Sequence, residues 1–207
     1  MNVAIIDYGL GNITSVVGAI EVLGATAVVT SQADDLAAAD CLILPGVGAF
    51  GDGIAKLHDR GLVAPLTGLV QGGKPLLGIC LGAQLLCIES EEFGFHSGLG
   101  WLPARVRRLN PSDSTLRVPH VGWDDVQQCR PSPLWDDVPK DALFYYTHSF
   151  GIVADDPDIV VGVCDYGGPF AAALQSGNVF GMQPHPEKSQ RYGLKVLENY
   201  LRFADAA

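Results

Sequence analysis

Short, unbroken apolar runs alternate with stretches of helical periodicity through the first half of the chain. NVAIID (Asn2 to Asp7) predicts a strand buried on both faces, and within ITSVVGAIEVLG the residues Ile13, Val16, Val17, Ile20 and Leu23 recur at helical spacing. TAVVT, CLILPG and KPLLGIC supply three more strands, separated by helical or loop segments. Strands alternating with helices imply a mostly parallel central sheet with helices on both faces.

Beyond about Gly94 the texture changes. Pro and Gly punctuate shorter strands: ARVRRL, LRVPHVGW, ALFYYTHSF, DIVVGVCDY, FAAALQ and NVFGMQP. QSGN between the last two predicts a hairpin turn, and SQRYGLKVLENYLRFAD predicts a closing amphipathic helix. No linker or repeat interrupts the pattern. Residues 1–207 are therefore expected to form one α/β domain whose second half is mixed or antiparallel.

Composition narrows the function classes. With 48% hydrophobic and 17% charged residues the chain reads as an ordinary globular protein. A net charge of −10 argues against nucleic acid or an anionic membrane as partner, because phosphate binding needs clustered Lys and Arg. The one basic cluster, ARVRRL, reads as a solvated strand face. No basic leader precedes Asp7, and the longest apolar stretch, Leu76 to Ile88, is too short to span a bilayer. Five cysteines (41, 80, 87, 129 and 164), with no C-x-x-C pair, predict neither a disulfide framework nor a metal site. A reducing cytoplasm is the expected location.

One thiol stands apart. Gly78-Ile79-Cys80-Leu81-Gly82 has the form of a nucleophile elbow, in which a sharp strand-to-helix turn lifts the nucleophile above the sheet. The flanking positions must lack side chains for such a turn to pack, and the helix start favours a thiolate. Cys41, Cys87, Cys129 and Cys164 read instead as small buried hydrophobes. Among the histidines, His58 and His96 are expected at the surface. His185 in GMQPHPEKS has Glu187 two positions later, and an extended chain through Pro186 would put both on one side. Glu187 would then orient the imidazole, leaving its other nitrogen for the sulfur. Glycine-rich LPGVGAFGDG after the strand CLIL offers backbone N–H groups for an oxyanion hole.

Together these pieces resemble the class I (triad) glutamine amidotransferases over nearly the whole chain. GICLGAQ is similar to the family's G-x-C-x-G-x-Q motif and QPHPEKS to its His/Glu motif. DYGLGN, PGVGAFGDG, VPHVGW and YYTHSF are similar to segments of those members that serve a separate (β/α)-barrel cyclase. That cyclase makes imidazole glycerol phosphate and an aminoimidazole carboxamide ribotide in histidine biosynthesis. The resemblance implies that Cys80, His185 and Glu187 are catalytic, with an oxyanion hole from the N–H groups of Val47 and Leu81. It implies further that Gly48, Gln84, His148, Ser149 and Phe150 hold the amino-acid end of glutamine. Asn12, His120, Trp123 and Lys188 would lie near the cyclase in a heterodimer and near the ammonia exit. No cofactor or metal is implied. Ala83 and Asp124 depart from the pattern, which has Met and Asn at those places. The freedom of Gly46 would let the Val47 N–H point away from the site until the cyclase and its ligand bind. Two other roles remain open to these residues: a glutaminase for a different synthase, and a regulatory module that keeps the fold without catalysis.

Overall fold

The computed structural model describes every residue from Met1 to Ala207. The apolar runs of the first half form β1 (Asn2–Ile6), β2 (Thr26–Thr30), β3 (Cys41–Gly46) and β4 (Leu76–Cys80). Between and after them lie α1 (Ile13–Val22), α2 (Ala33–Ala38), α3 (Phe50–Asp59), α4 (Val63–Gln71) and the short α5 (Leu81–Leu85). The second half adds β5 (Glu89–Ser90), β6 (His96–Ser97), β7 (Ala104–Arg108), β8 (His120–Asp125), β9 (Gln127–Gln128) and β10 (Leu143–His148). It ends with β11 (Phe150–Ala154), β12 (Val160–Asp165), β13 (Pro169–Ser176), β14 (Val179–Met182) and the helix α6 (Gln190–Asp205).

Strands β2-β1-β3-β4-β14 pair in parallel in that order, and β14 leads antiparallel into β13, β11 and β7. The unbroken apolar character of β1, β3 and β4 follows from burial on both faces. Val3 and Ile5 pack with Val16 and Ile20 of α1 and with Val196, Leu197 and Tyr200 of α6. Ala4 and Ile6 pack on the other face with Leu36 of α2, Phe50 and Leu57 of α3 and Leu66 of α4. The Tyr200 hydroxyl donates to the Leu42 carbonyl at 2.7 Å, which ties α6 to the middle of the sheet. No helix is long and apolar enough to cross a membrane.

Two expectations change. ALFYYTHSF is not one strand. It breaks at Ser149 into β10, which pairs only with β8 in a separate ribbon, and β11, which joins the main sheet beside β7. The Ser149 carbonyl accepts the Leu109 N–H at 2.9 Å and fixes the crossing point. Cys129 is exposed, unlike the buried Cys41, Cys87 and Cys164. The arginines of β7 are a solvated face, as expected: Arg105 and Arg107 reach Glu89 at 2.8 and 2.6 Å.

The corner between β4 and α5 depends on its glycines. A Cβ on Gly82 would lie 1.8 Å from the Leu44 carbonyl oxygen, and one on Gly78 would lie 2.7 Å from the Ala83 nitrogen. Neither obstacle is a flexible side-chain end, so the backbone itself would have to move. Gly82→Ala is expected to destabilise the fold by about 1–3 kcal/mol or more, read as a lower urea midpoint.

Candidate active site

The candidate site lies at the C-terminal ends of β3, β4 and β14, the edge where open parallel sheets bind ligands. Cys80 closes β4 with φ 53° and ψ −112°, a left-handed conformation rare for any residue but glycine. Its side chain is 6% exposed and faces a cavity of about 410 Å³, within the usual range for small-molecule sites. Val47, Gly48, Leu81, Gln84, Glu92, Pro119, Thr147, His148, Ser149 and Phe150 complete the lining. A larger hollow of about 750 Å³, along Gln128 to Asp136, is shallow surface with neither a histidine nor a glutamate in its wall.

Strand register gathers the rest. Gly46 lies opposite Cys80, so the loop after β3 and the elbow after β4 sit side by side. The N–H of Val47 meets no acceptor there, and Leu81 opens α5. Ile79 lies opposite Met182, which brings Gln183 next to Cys80 with 3.8 Å between Nε2 and the sulfur, and His185 follows two residues on.

His185 Nδ1 lies 2.8 Å from Glu187 Oε1, and both side chains are almost fully buried. The expected contact is therefore made, though not along an extended chain. Pro186 to Lys188 form a single 3-10 turn, closed by Lys188 N–H donating to the His185 carbonyl at 3.0 Å. The Ser189 hydroxyl donates to that same carbonyl at 2.6 Å. Burial alone would lower the His185 pKa, but interaction with Cys80 and Glu187 outweighs it and raises the pKa to about 10. Imidazolium is thus the stable form at neutral pH. Nε2, the nitrogen turned away from Glu187, has no hydrogen-bond partner.

Two other imidazoles behave oppositely. Burial lowers His148 to about 3 and His120 to about 4, so both are neutral. His148 Nδ1 pairs with the Phe150 carbonyl at 2.8 Å. His120 is 2% exposed and stacked between Tyr146 and Tyr166, with ring centroids at 4.7 and 3.9 Å. It supports the ribbon from inside and offers no contact surface of its own. Trp123, by contrast, is 45% exposed and meets Tyr145 edge-on, and Lys188 reaches over the same Tyr145 ring at 5.8 Å. Asn12 is half-buried at the start of α1, where its side chain makes no capping bond. His58 is exposed, but His96 is half-buried with its ring close over Gly51 and near Phe50.

Gln84 lines the cavity, but its amide nitrogen is committed to the Phe150 carbonyl at 2.8 Å and Gln183 Oε1 at 3.0 Å. It therefore fixes the wall as well as facing the cavity. Sequence reasoning missed Glu92, whose carboxylate accepts the Phe50 N–H at 2.7 Å at the rim of the cavity. Its only signal was a paired acid in the Gly-containing loop EEFGF. Thr147 and Gln183 were also missed as site residues, although both fall within quoted motifs.

Residues 4–202 match the family profile described as glutamine amidotransferase class-I. The protein named imidazole glycerol phosphate synthase subunit HisH from Moorella thermoacetica is 48% identical over 198 residues, covering 96% of this chain and 93% of that protein. The HisH subunit of Bacillus cereus is 46% identical over 205 residues, covering 99% and 96%. Among solved structures, PurLQS from Thermotoga maritima superposes with a TM-score of 0.76 at 22% identity, covering 98% of each chain. A crystal structure titled glutamine amidotransferase superposes at 0.74 with 19% identity, again covering 98% of each chain. At those identities the two superpositions show the shared fold.

His120 and His148 carry a pH signature. An unfolded imidazole takes up its proton near pH 6.5, whereas these two resist protonation until about 4 and 3. Their contribution to stability is complete above about pH 6.5 and is lost as pH falls through those values. Urea midpoints should therefore drop between pH 7 and 4. The drop should be shallower in His120→Phe, which keeps a ring between the tyrosines but cannot titrate.

Proposed function

The chain belongs to the class I glutamine amidotransferases, and we propose that within that family it is the glutaminase subunit of an imidazole glycerol phosphate synthase, releasing ammonia from glutamine for histidine biosynthesis. Identity of 45–48% over nearly the whole length to proteins named for that subunit supports the assignment. The observation that carries the chemistry is Cys80 on its left-handed corner, facing a small cavity and coupled to a buried His185–Glu187 pair.

The steps follow from that arrangement. The Cys80 sulfur attacks the side-chain carbonyl carbon of glutamine, and the carbonyl oxygen becomes an oxyanion. Val47 and Leu81 direct their N–H groups to it; one such donor is worth roughly 3 kcal/mol in the transition state. Because His185 is raised to about 10, its proton is already in place for the departing nitrogen. The C–N bond breaks, ammonia leaves, and a glutamyl thioester remains on Cys80. His185, now neutral, takes a proton from water as that water attacks the thioester. Glutamate leaves and the sulfur recovers its starting state. Glu187 accepts the Nδ1 hydrogen bond throughout and supports the imidazolium when it forms.

Gly48, Gln84, His148, Ser149 and Phe150 enclose the amino-acid end of the substrate, with His148 supplying a neutral imidazole. Glu92 supplies the one carboxylate of the cavity wall, suited to the α-ammonium group of glutamine. The partner is a (β/α)-barrel cyclase in a heterodimer. Exposed Trp123, with the half-buried Tyr145 and Lys188 beside it, provides an apolar and cationic contact for it, next to the strand carbonyl of Tyr145 that accepts the His185 N–H at 2.9 Å.

Two outcomes test this. Cys80→Ala should abolish glutamine-dependent synthesis while free ammonia still drives the cyclase; loss of both activities would make Cys80 structural. Glu92→Gln should raise KM for glutamine about tenfold with kcat much less affected, the pattern of lost ground-state binding. An unchanged KM would remove Glu92 from substrate recognition.

A further inference from the structure

Tyr8 holds a hydroxyl that nothing so far uses. The residue is fully buried, and its O–H has no hydrogen-bond partner. A buried donor left unpaired costs about 1–3 kcal/mol, so a phenol is a poor choice of core residue here unless another state satisfies it. Its position is specific. Ile5 pairs with Ile43 across parallel β1 and β3, and just past the end of β1 the Tyr8 hydroxyl comes up against Gly46, the last residue of β3. A Cβ on Gly46 would lie 2.5 Å from the Tyr8 oxygen, 2.7 Å from the Gly82 nitrogen and 2.8 Å from the Leu81 Cβ. Gly46 is thus pressed between the phenol on one side and the nucleophile elbow on the other. The next N–H along, that of Val47, also lacks an acceptor. Burial, and then the charge of Cys80, push the Tyr8 pKa up, so the phenol stays protonated and remains a donor.

Two unsatisfied groups therefore border one peptide unit, the Gly46–Val47 amide. Turning that amide so that its N–H faces the substrate carbonyl swings its carbonyl oxygen away from the cavity. Only a residue without a side chain fits between the two walls while this happens. We propose that Tyr8 is a positioning residue of the oxyanion site, its hydroxyl donating to the Gly46 carbonyl and holding the Val47 N–H toward the developing oxyanion. Glutamine and Tyr8 then satisfy the two ends of the same amide together. The inference rests on the glutaminase reading above and names a residue outside the Cys80–His185–Glu187 set.

The test is Tyr8→Phe in the enzyme assembled with its cyclase partner, compared with wild type and Cys80→Ala. Kcat for glutamine hydrolysis should fall about tenfold with KM unchanged, less than the roughly 10²–10³ that loss of an oxyanion donor itself costs. The thermal midpoint should stay level or rise, because an unpaired hydroxyl has been removed. Alkylation of Cys80 by iodoacetamide, which forms no oxyanion, should proceed at the wild-type rate. A kcat within twofold of wild type overturns the proposal. An equal loss in kcat and in alkylation also overturns it, since the hydroxyl would then act on the sulfur; so does a lower midpoint with parallel losses, which would make Tyr8 core packing alone. A wild-type complex that does not hydrolyse glutamine would fail the glutaminase reading itself, and that failure is visible before the variant is considered.

Discussion

The chemistry proposed for this chain depends on one close approach, the Cα of Gly82 against the carbonyl of Leu44. With no side chain at that point, α5 begins immediately after β4, and the turn forces Cys80 to a positive φ that raises its sulfur to the cavity. Such a conformation costs about 1–3 kcal/mol and persists only where the surroundings over-determine it. Here they do: Leu81 and Ala83 are buried against the sheet, and Gly46 of the neighbouring strand is wedged against the elbow. One packing constraint thus places both the sulfur and the loop that faces it.

Three buried imidazoles illustrate how neighbours set protonation. His120 lies between aromatic rings and His148 against the Phe150 carbonyl, and both lose their charge to burial, His120 even with the Asp124 carboxylate 3.6 Å from its Nε2. His185 is equally buried, yet a sulfur and a carboxylate reverse the outcome. A neutral imidazole in the cavity wall and a charged one behind the sulfur are therefore produced by one principle in two environments.

Much of this was legible in the residues themselves. The glycines around Cys80 could be read because a turn of that kind tolerates nothing else, and β1, β3 and β4 because doubly buried strands are apolar throughout; that β14 joins them in parallel was not legible in its own residues. The pairing of His185 with Glu187 was legible, but its geometry was not. Proline fits the first position of a tight turn as readily as an extended segment, and the choice is made by Ser189, whose hydroxyl captures the His185 carbonyl. The break at Ser149, the burial of His120 and the commitment of the Gln84 amide depend on partners 40 to 99 residues away or on which sheet a strand joins. Local pattern carries no record of such partners. Glu92 and Tyr8 escaped notice for the same reason, since each acts on a segment about forty residues distant in the chain.

The parallel seam between β4 and β14 has a consequence for when the protein becomes reactive. It joins Ile79 to Met182, so the sulfur and its imidazole belong to segments that emerge far apart during synthesis. Closing so long a loop is entropically slow and is repaid only when the central sheet zips shut. A nascent or half-folded chain therefore lacks the corner that brings Cys80 toward His185, and the proposed site arises late, with the final strand in place.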